Sequence, residues 1–248
     1  MVAVAQEQAV GGTRTGRGWN VLDREAGVLW REYPFGQGVA TTFVFRGAGD
    51  GLIVVSPAKH IEESALDELS DFGKVAALVA NNSYHWLGQR LWRKHFPHAR
   101  SFTPGRAIAR LSKKLPEFGA FEPLEALAPL LGERATVTDG AGLKVANAFA
   151  SVQGTRGNYW FASDFLSNMG ELPSNFAFRA LMKMTGSAPG FQLFRPSVWL
   201  QVRDKRALRG WAEEQITKAA PTTIVPAHGP PVHGADVAAS ALALFAKL

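Results

Sequence analysis

Three times in this chain a short apolar run ends on polar side chains and a turn. Leu78-Val79-Ala80 leads into Asn81 to His85, Tyr159-Trp160-Phe161-Ala162 into Ser163 and Asp164, and Ile224-Val225-Pro226-Ala227 into His228 and Gly229. Runs of this kind read as buried strands, and a strand that delivers a polar group to its carboxyl end does so where loops gather and ligands bind. A chain built from several such strands must cover their faces, which calls for a layered α/β or α+β arrangement.

The rest of the sequence supplies those layers. Gly27 to Tyr33, Val39 to Arg46 and Leu52 to Ser56 are rich in Val, Ile, Phe and Thr and are separated by glycine-containing turns, the pattern of an antiparallel meander. Ile61, Leu66 and Leu69 then recur at near-helical spacing among acidic residues, and Val75 to Ala80 reads as the next buried strand. Leu87, Leu91 and Trp92 predict a short helix, Arg100 to Thr103 a strand, and the segment from Arg106 a basic helix. In the second half, Leu143 to Val152, Tyr159 to Ser163 and Thr222 to Val225 are expected as strands. Asp204 is expected to cap a helix bearing Leu208, Trp211, Ala212 and Ile216, and Val237, Ala241, Leu244, Phe245 and Leu248 predict a last helix with an apolar stripe. No internal repeat of solenoid or propeller length is present. We expect a flexible arm over residues 1–18, which lack periodicity, and one domain over 19–248.

Composition narrows the chemistry. The chain has 248 residues, of which 46% are hydrophobic, enough apolar material for a sizeable core. It has no cysteine, so disulfides, iron–sulfur clusters and thiol nucleophiles are excluded, and any metal must be held by histidine and carboxylate. Nothing approaches the length of a membrane span, so no membrane partner is expected. Met1 to Val10 carries Glu7 and lacks a cationic start, unlike a secretory signal, so the expected location is cytoplasmic. The net charge is +6, and from Trp86 to Leu115 there are eight Lys and Arg residues and no Asp or Glu. That segment is expected as a solvated basic face, with nucleic acid a disfavoured partner and a small-molecule substrate the favoured one.

Two imidazoles and a carboxylate, His85, His228 and Asp164, stand at strand ends far apart in sequence and suit one divalent cation such as zinc, iron or manganese. The competing reading of Asp164 is a simple helix or turn cap. His60, His95, His98 and His233 read as loop or helix-end residues, with His95 and His98 solvated. Glu171 to Gln192, rich in Phe, Met, Gly and Pro, is the candidate for an apolar cap that would favour a partly hydrophobic substrate.

Taken together, the His85-Trp86-Leu87-Gly88 segment, the Ala162-Ser163-Asp164 strand end and the Val225-Pro226-Ala227-His228-Gly229 segment resemble the metallo-β-lactamase superfamily over roughly residues 27 to 235. The resemblance implies a four-layer αββα sandwich with the site where the loops of the two sheets meet. That family's first motif, His-any-His-any-Asp-His, falls on Ala80 to His85. Ala80 and Asn82 replace its first two histidines, Tyr84 replaces its aspartate, and His85 is kept. No histidine lies between Val152 and Gly157 to supply the middle ligand. The survivors His85, Asp164 and His228 all belong, by resemblance, to the second of two metal positions. The chain also resembles a branch of that superfamily with a similarly reduced first motif and an Arg-Pro-Ser element like Arg195-Pro196-Ser197. These likenesses imply a hydrolase with at most one metal ion, His85, Asp164 and His228 as its ligands and His85 and Asp164 as its catalytic groups, acting on an ester, amide or phosphoester. The alternative is a non-catalytic or binding homologue that keeps the scaffold. Tyr84 is expected to fill the vacated metal space or to bond near the remaining ligands.

Overall fold

The computed structural model describes residues 12–36, 38–171 and 174–248. Of the arm expected over 1–18, residues 1–11 lie outside the described residues, and β1 (Thr13–Arg14) pairs antiparallel with β2 (Asn20–Asp23). The meander follows as β3 (Val28–Phe35), β4 (Gly38–Arg46) and β5 (Gly51–Val55), each antiparallel to the strand before it. Helix α1 (Glu63–Asp67), extended by a 3₁₀ turn, then crosses to β6 (Lys74–Val79), α2 (Gln89–His95) to β7 (Arg100–Thr103), and α3 (Ile108–Lys114) to β8 (Glu122–Pro123). These crossovers make the last three pairings parallel and complete an eight-stranded sheet in sequence order.

After α4 (Ala128–Leu131) a second sheet begins with β9 (Ala135–Asp139), β10 (Ala148–Gln153) and β11 (Asn158–Phe161). Next come β12 (Leu166–Met169), α5 (Phe176–Thr185), β13 (Gly190–Leu193), α6 (Arg195–Gln201) and α7 (Lys205–Ala219). The chain closes with β14 (Thr223–Val225), β15 (Val232–His233) and α8 (Val237–Phe245). The second sheet has the order β15-β14-β11-β10-β9, with β14 parallel to β11, while β12 and β13 form a separate hairpin.

The period-two alternation of side chains on strands decides how these pieces stack. Phe43 and Phe45 of β4, Ile53 and Val55 of β5, and Ala77 and Val79 of β6 share one core with Val137, Ala150, Val152, Tyr159 and Phe161 from the second sheet. Their neighbours Val44, Leu52, Val54 and Leu78 point the other way, onto Leu66, Leu69 and Trp92. Likewise Phe149 and Trp160 face away from the inter-sheet core onto Leu208, Ala212, Ile216, Ala241 and Phe245 of α7 and α8. Both faces of both sheets are therefore covered, and the architecture is a four-layer αββα sandwich, as the resemblance implies. Asp23, fully buried, ties the layers together at one end: it accepts hydrogen bonds from the Thr155 and Arg156 amides of the β10–β11 turn at 2.6 and 3.0 Å.

Two expectations about elements need correction. The strand expected to begin at Leu143 starts only at Ala148, since residues around Leu143 make a crossing with a single bridge to Val202. The strand Ala135–Asp139 was not expected, although its alternating Ala, Val and Thr residues carried the signal.

Candidate functional site

The three strand-end segments meet at one edge of the sandwich. Past the end of β6, Asn82 organises the turn: its Oδ1 accepts from the backbone N–H groups of Tyr84 and His85 at 2.8 and 3.1 Å, an Asx turn. Its Nδ2 donates to Asn147 Oδ1 at 2.8 Å and to Asp164 Oδ2 at 2.7 Å. Asp164 follows β11 in a 3₁₀ turn with Ser163 at φ +49°. Its carboxylate meets the Asn82 amide and the His85 imidazole. His228 leaves β14 and is gripped on both sides: its carbonyl accepts from Asn168 N at 2.7 Å, and its Nδ1 lies 2.7 Å from the Val39 carbonyl oxygen of β4. Because a carbonyl only accepts, Nδ1 carries the proton and Nε2 is left as the ring's proton acceptor.

Gly229 explains why the histidine is followed by glycine. Its φ is +95°, and a Cβ there would collide with the Asn168 carbonyl oxygen. Gly229→Ala is expected to cost at least about 2–3 kcal/mol through strain and displacement of the β12 edge. Denaturant unfolding measures this, and a loss below about 0.5 kcal/mol would contradict the tight turn.

His85 is almost fully buried between hydroxyls and a carboxylate. Nδ1 lies 3.1 Å from Tyr33 Oη and 3.0 Å from Ser56 Oγ, Nε2 lies 3.1 Å from Asp164 Oδ1, and Phe35 stacks on the ring at 4.9 Å. The order Ser56, His85, Asp164 follows that of a nucleophile, base and acid. Ser56, however, is 1% exposed and does not line the cavity, so its hydroxyl positions the ring rather than attacking a substrate. Burial pushes the Tyr33 phenol above its ordinary range, and it stays neutral.

The Asp164 carboxylate is 4% exposed, and its Oδ1 has no aligned hydrogen-bond donor despite the nearby His85 nitrogen. Burial by itself would raise this carboxyl, but the imidazoles of His85 and His228 and the Asn82 amide outweigh it and hold the group ionised, well below the usual carboxylate range. His228 moves the opposite way from a paired histidine. Burial lowers it, only partly opposed by Asp164 and the Val39 carbonyl, so its folded value lies below the unfolded value of about 6.5. A depressed histidine is neutral in the native state, so its stabilising contribution is complete above about pH 6.5 and is lost as pH falls. His233, half-exposed and bonded to Thr223, is shifted in the same direction by burial. Stability should therefore decline from pH 7.5 toward 5.5, by at most about 1.4 kcal/mol per pH unit for each histidine, and His228→Gln should flatten the decline. Unfolding curves across that range check this, and a stability that rises on acidification would contradict it.

His85, Asp164 and His228 all line one cavity of about 350 Å³. Its other walls are mostly apolar, from Phe35, Val39, Tyr84, Met169, Phe178, Phe194 and Leu200, with Ser197 and Gln201 on one side. Phe178 belongs to α5, within the segment expected as an apolar cap. Ser197 belongs to the Arg195-Pro196-Ser197 element that opens α6.

The structure departs from expectation at several residues. Tyr84 does not fill a vacated interior: it stands at the cavity mouth, 41% exposed, under the Arg110 guanidinium at 5.3 Å. Ala80 packs with Ala107, Leu111 and Phe121, and the Asn82 amide bonds Asn147 and Asp164. His95 is not simply solvated, since it contacts Asp67 at 3.0 Å and Glu63 at 3.7 Å. Nor is the basic segment one free face. Arg90, Arg100 and Arg106 pair with Glu117, Glu122 and Asp139, and Arg93 is buried against Ser101 and Phe121. Tyr33, Ser56, Asn147 and Gln201 had no sequence signal that marks them. Asn82 did, as a polar residue at a strand end.

Whether the site suits a metal turns on these donors. A buried carboxylate facing the cavity and an imidazole held through Nδ1 are ligand-like features. Yet among the described residues no group of three or more His, Asp or Glu side chains is placed to hold a metal ion. The arrangement brings His85 and Asp164 into contact and sets His228 on the same cavity without closing a coordination sphere, so it does not fit a metal centre as it stands.

No protein-family model and no curated protein matches the chain. Solved structures do. TMB-1, whose structure is described in terms of substrate and inhibitor binding, aligns over 97% of this chain and 99% of its own with a TM-score of 0.54 and 11% identity. The DIM-1 metallo-β-lactamase aligns over 89% of this chain and 94% of its own with a TM-score of 0.55 and 9% identity. At such identities the likeness establishes the fold.

Proposed function

We propose that this metallo-β-lactamase-fold chain is a small-molecule hydrolase whose reduced site works through its own side chains, acting on an ester, amide or phosphoester that carries an apolar group. The observation that carries the reading is the juxtaposition, in one apolar cavity, of an ionised carboxylate, Asp164, with a neutral, partly buried imidazole, His228, whose Nδ1 is committed to Val39. His228 Nε2 accepts the proton of a water, and the Asp164 charge stabilises the imidazolium that results. His85, set by Tyr33, Ser56 and Phe35, holds the Asp164 carboxylate from its other side. The apolar walls exclude bulk water and so strengthen these interactions.

Hydrolysis of a panel of short-chain aryl esters, amides and phosphoesters, with and without a chelator, tests the reading alongside elemental analysis of untagged protein. Chelator-resistant hydrolysis that is lost in His228→Gln is expected. Chelator-sensitive hydrolysis, or one tightly bound metal equivalent, would overturn it. A second reading, a binding protein without chemistry, is favoured by the open donor set. It predicts apolar ligands that raise the melting temperature with no turnover.

A further inference from the structure

Two helices frame the cavity, and both turn apolar side chains outward. Among its ten residues α5 buries only Met182 and leaves Phe176 83% and Met184 79% exposed, while α6 leaves Trp199 55% exposed beside Leu200. Phe178 of α5 and Leu200 of α6 line the cavity together with Tyr84, and Phe176, Met184 and Trp199 stand on the exposed sides of the same two helices. Scattered single hydrophobics need no explanation, but a group on the two helices that frame an apolar cavity does.

Charge says what covers it. The sequence has no Asp or Glu from residue 86 to 116 or from 172 to 203, the two stretches that supply Tyr84's neighbours and both framing helices. Arg110 lies over the Tyr84 ring and Lys114 over Trp86 at 5.8 Å, Lys144 donates to the Trp199 carbonyl at 3.2 Å, and Lys183 is exposed on α5 between its methionines. The acidic residues that meet this set are already engaged, Glu117 with Arg90 and Asp139 with Arg106, and Asp164 lies inside the cavity. An apolar rim studded with cations matches an anionic lipid surface, where rings and thioethers enter the headgroup layer and Lys and Arg meet phosphates. Two copies of such a face would repel one another.

We propose that the cavity mouth docks on an anionic lipid surface, with Phe176, Met184 and Trp199 as its apolar anchors and Arg110, Lys114, Lys144 and Lys183 as its cations. The proposal deepens the reading of the cavity as a hydrolase site: a substrate with an acyl or other apolar tail would pass from the bilayer into the cavity without crossing water.

Co-sedimentation with vesicles of phosphatidylcholine alone, or containing roughly a third phosphatidylglycerol, tests the docking. Binding to the mixed vesicles only, weakening as salt rises, is expected. Replacing Phe176, Met184 and Trp199 by serine should weaken it about tenfold per residue, and Lys114→Glu or Lys183→Glu about fivefold or more. Circular dichroism verifies that these surface variants stay folded. No binding to anionic vesicles at low salt, or full binding by the triple variant, would overturn the proposal. So would a vesicle-independent dimer that the triple variant abolishes, since a second copy would then occupy the face. Hydrolysis of a short soluble ester is read on the same proteins and should be unchanged in the triple variant. If the parent chain binds vesicles but shows no hydrolysis, the functional reading falls while the docking stands.

Discussion

Asp164→Asn is expected to cut hydrolysis about 10²–10⁴-fold while leaving the fold in place. The amide is isosteric, and its oxygen still accepts from Asn82, which now donates to Asp164 Oδ2 at 2.7 Å. What disappears is the anion beside His228. In the native protein that charge opposes the effect of burial on the imidazole; without it, a His228 imidazolium formed by taking a proton from water would lose its stabilisation. The effect should therefore fall on kcat more than on KM, with little change in melting temperature. Asp164→Ala is a different experiment, because it leaves the buried Asn82 amide short of an acceptor and should lower stability as well. Activity of Asp164→Asn within twofold of the parent would remove Asp164 from the mechanism.

The second large effect concerns the core. Phe161 is fully buried and lies parallel to Phe43 across the gap between the sheets, with ring centroids 5.7 Å apart and planes at 5°. Phe161→Ala should cost about 3–5 kcal/mol, the combined loss of burial and the cavity left where two rigid sheets cannot close. Against a typical total of about 5–15 kcal/mol, that is enough to leave the chain marginal. The Phe43→Ala and Phe161→Ala double variant should lose less than the two single losses together, because the rings share one contact. Urea unfolding checks both. Additive losses would mean that the two rings do not depend on each other.

His228 and Gly229 show how far a local signal reaches. The apolar run before them marked a strand end, and β14 is there; but the proton position on the ring is decided by the Val39 carbonyl, 189 residues away in the other sheet. Asn82 was legible as a polar strand-end residue. Its role as the amide joining Asp164 to Asn147 was not, because both partners belong to the second sheet. The resemblance sets Tyr84 in the vacated metal space or beside the remaining ligands, whereas the Asx turn at Asn82 leaves it at the mouth of their cavity.

The alternation of Phe43, Val44 and Phe45, of Leu52, Ile53 and Val54, and of Tyr159, Trp160 and Phe161 determined by itself that this chain makes strands buried on both faces, and the helical spacing of Leu208, Ala212 and Ile216 determined what covers one of them. Those signals are local and periodic, so they survive in a linear reading. Only the tertiary structure decided that Tyr33, Ser56 and Phe35 surround His85, that Asp164 is held ionised, and that α5 and α6 carry an apolar rim, because a side chain's partners, burial and electrostatic field come from segments that are distant along the chain and adjacent only once the two sheets have packed.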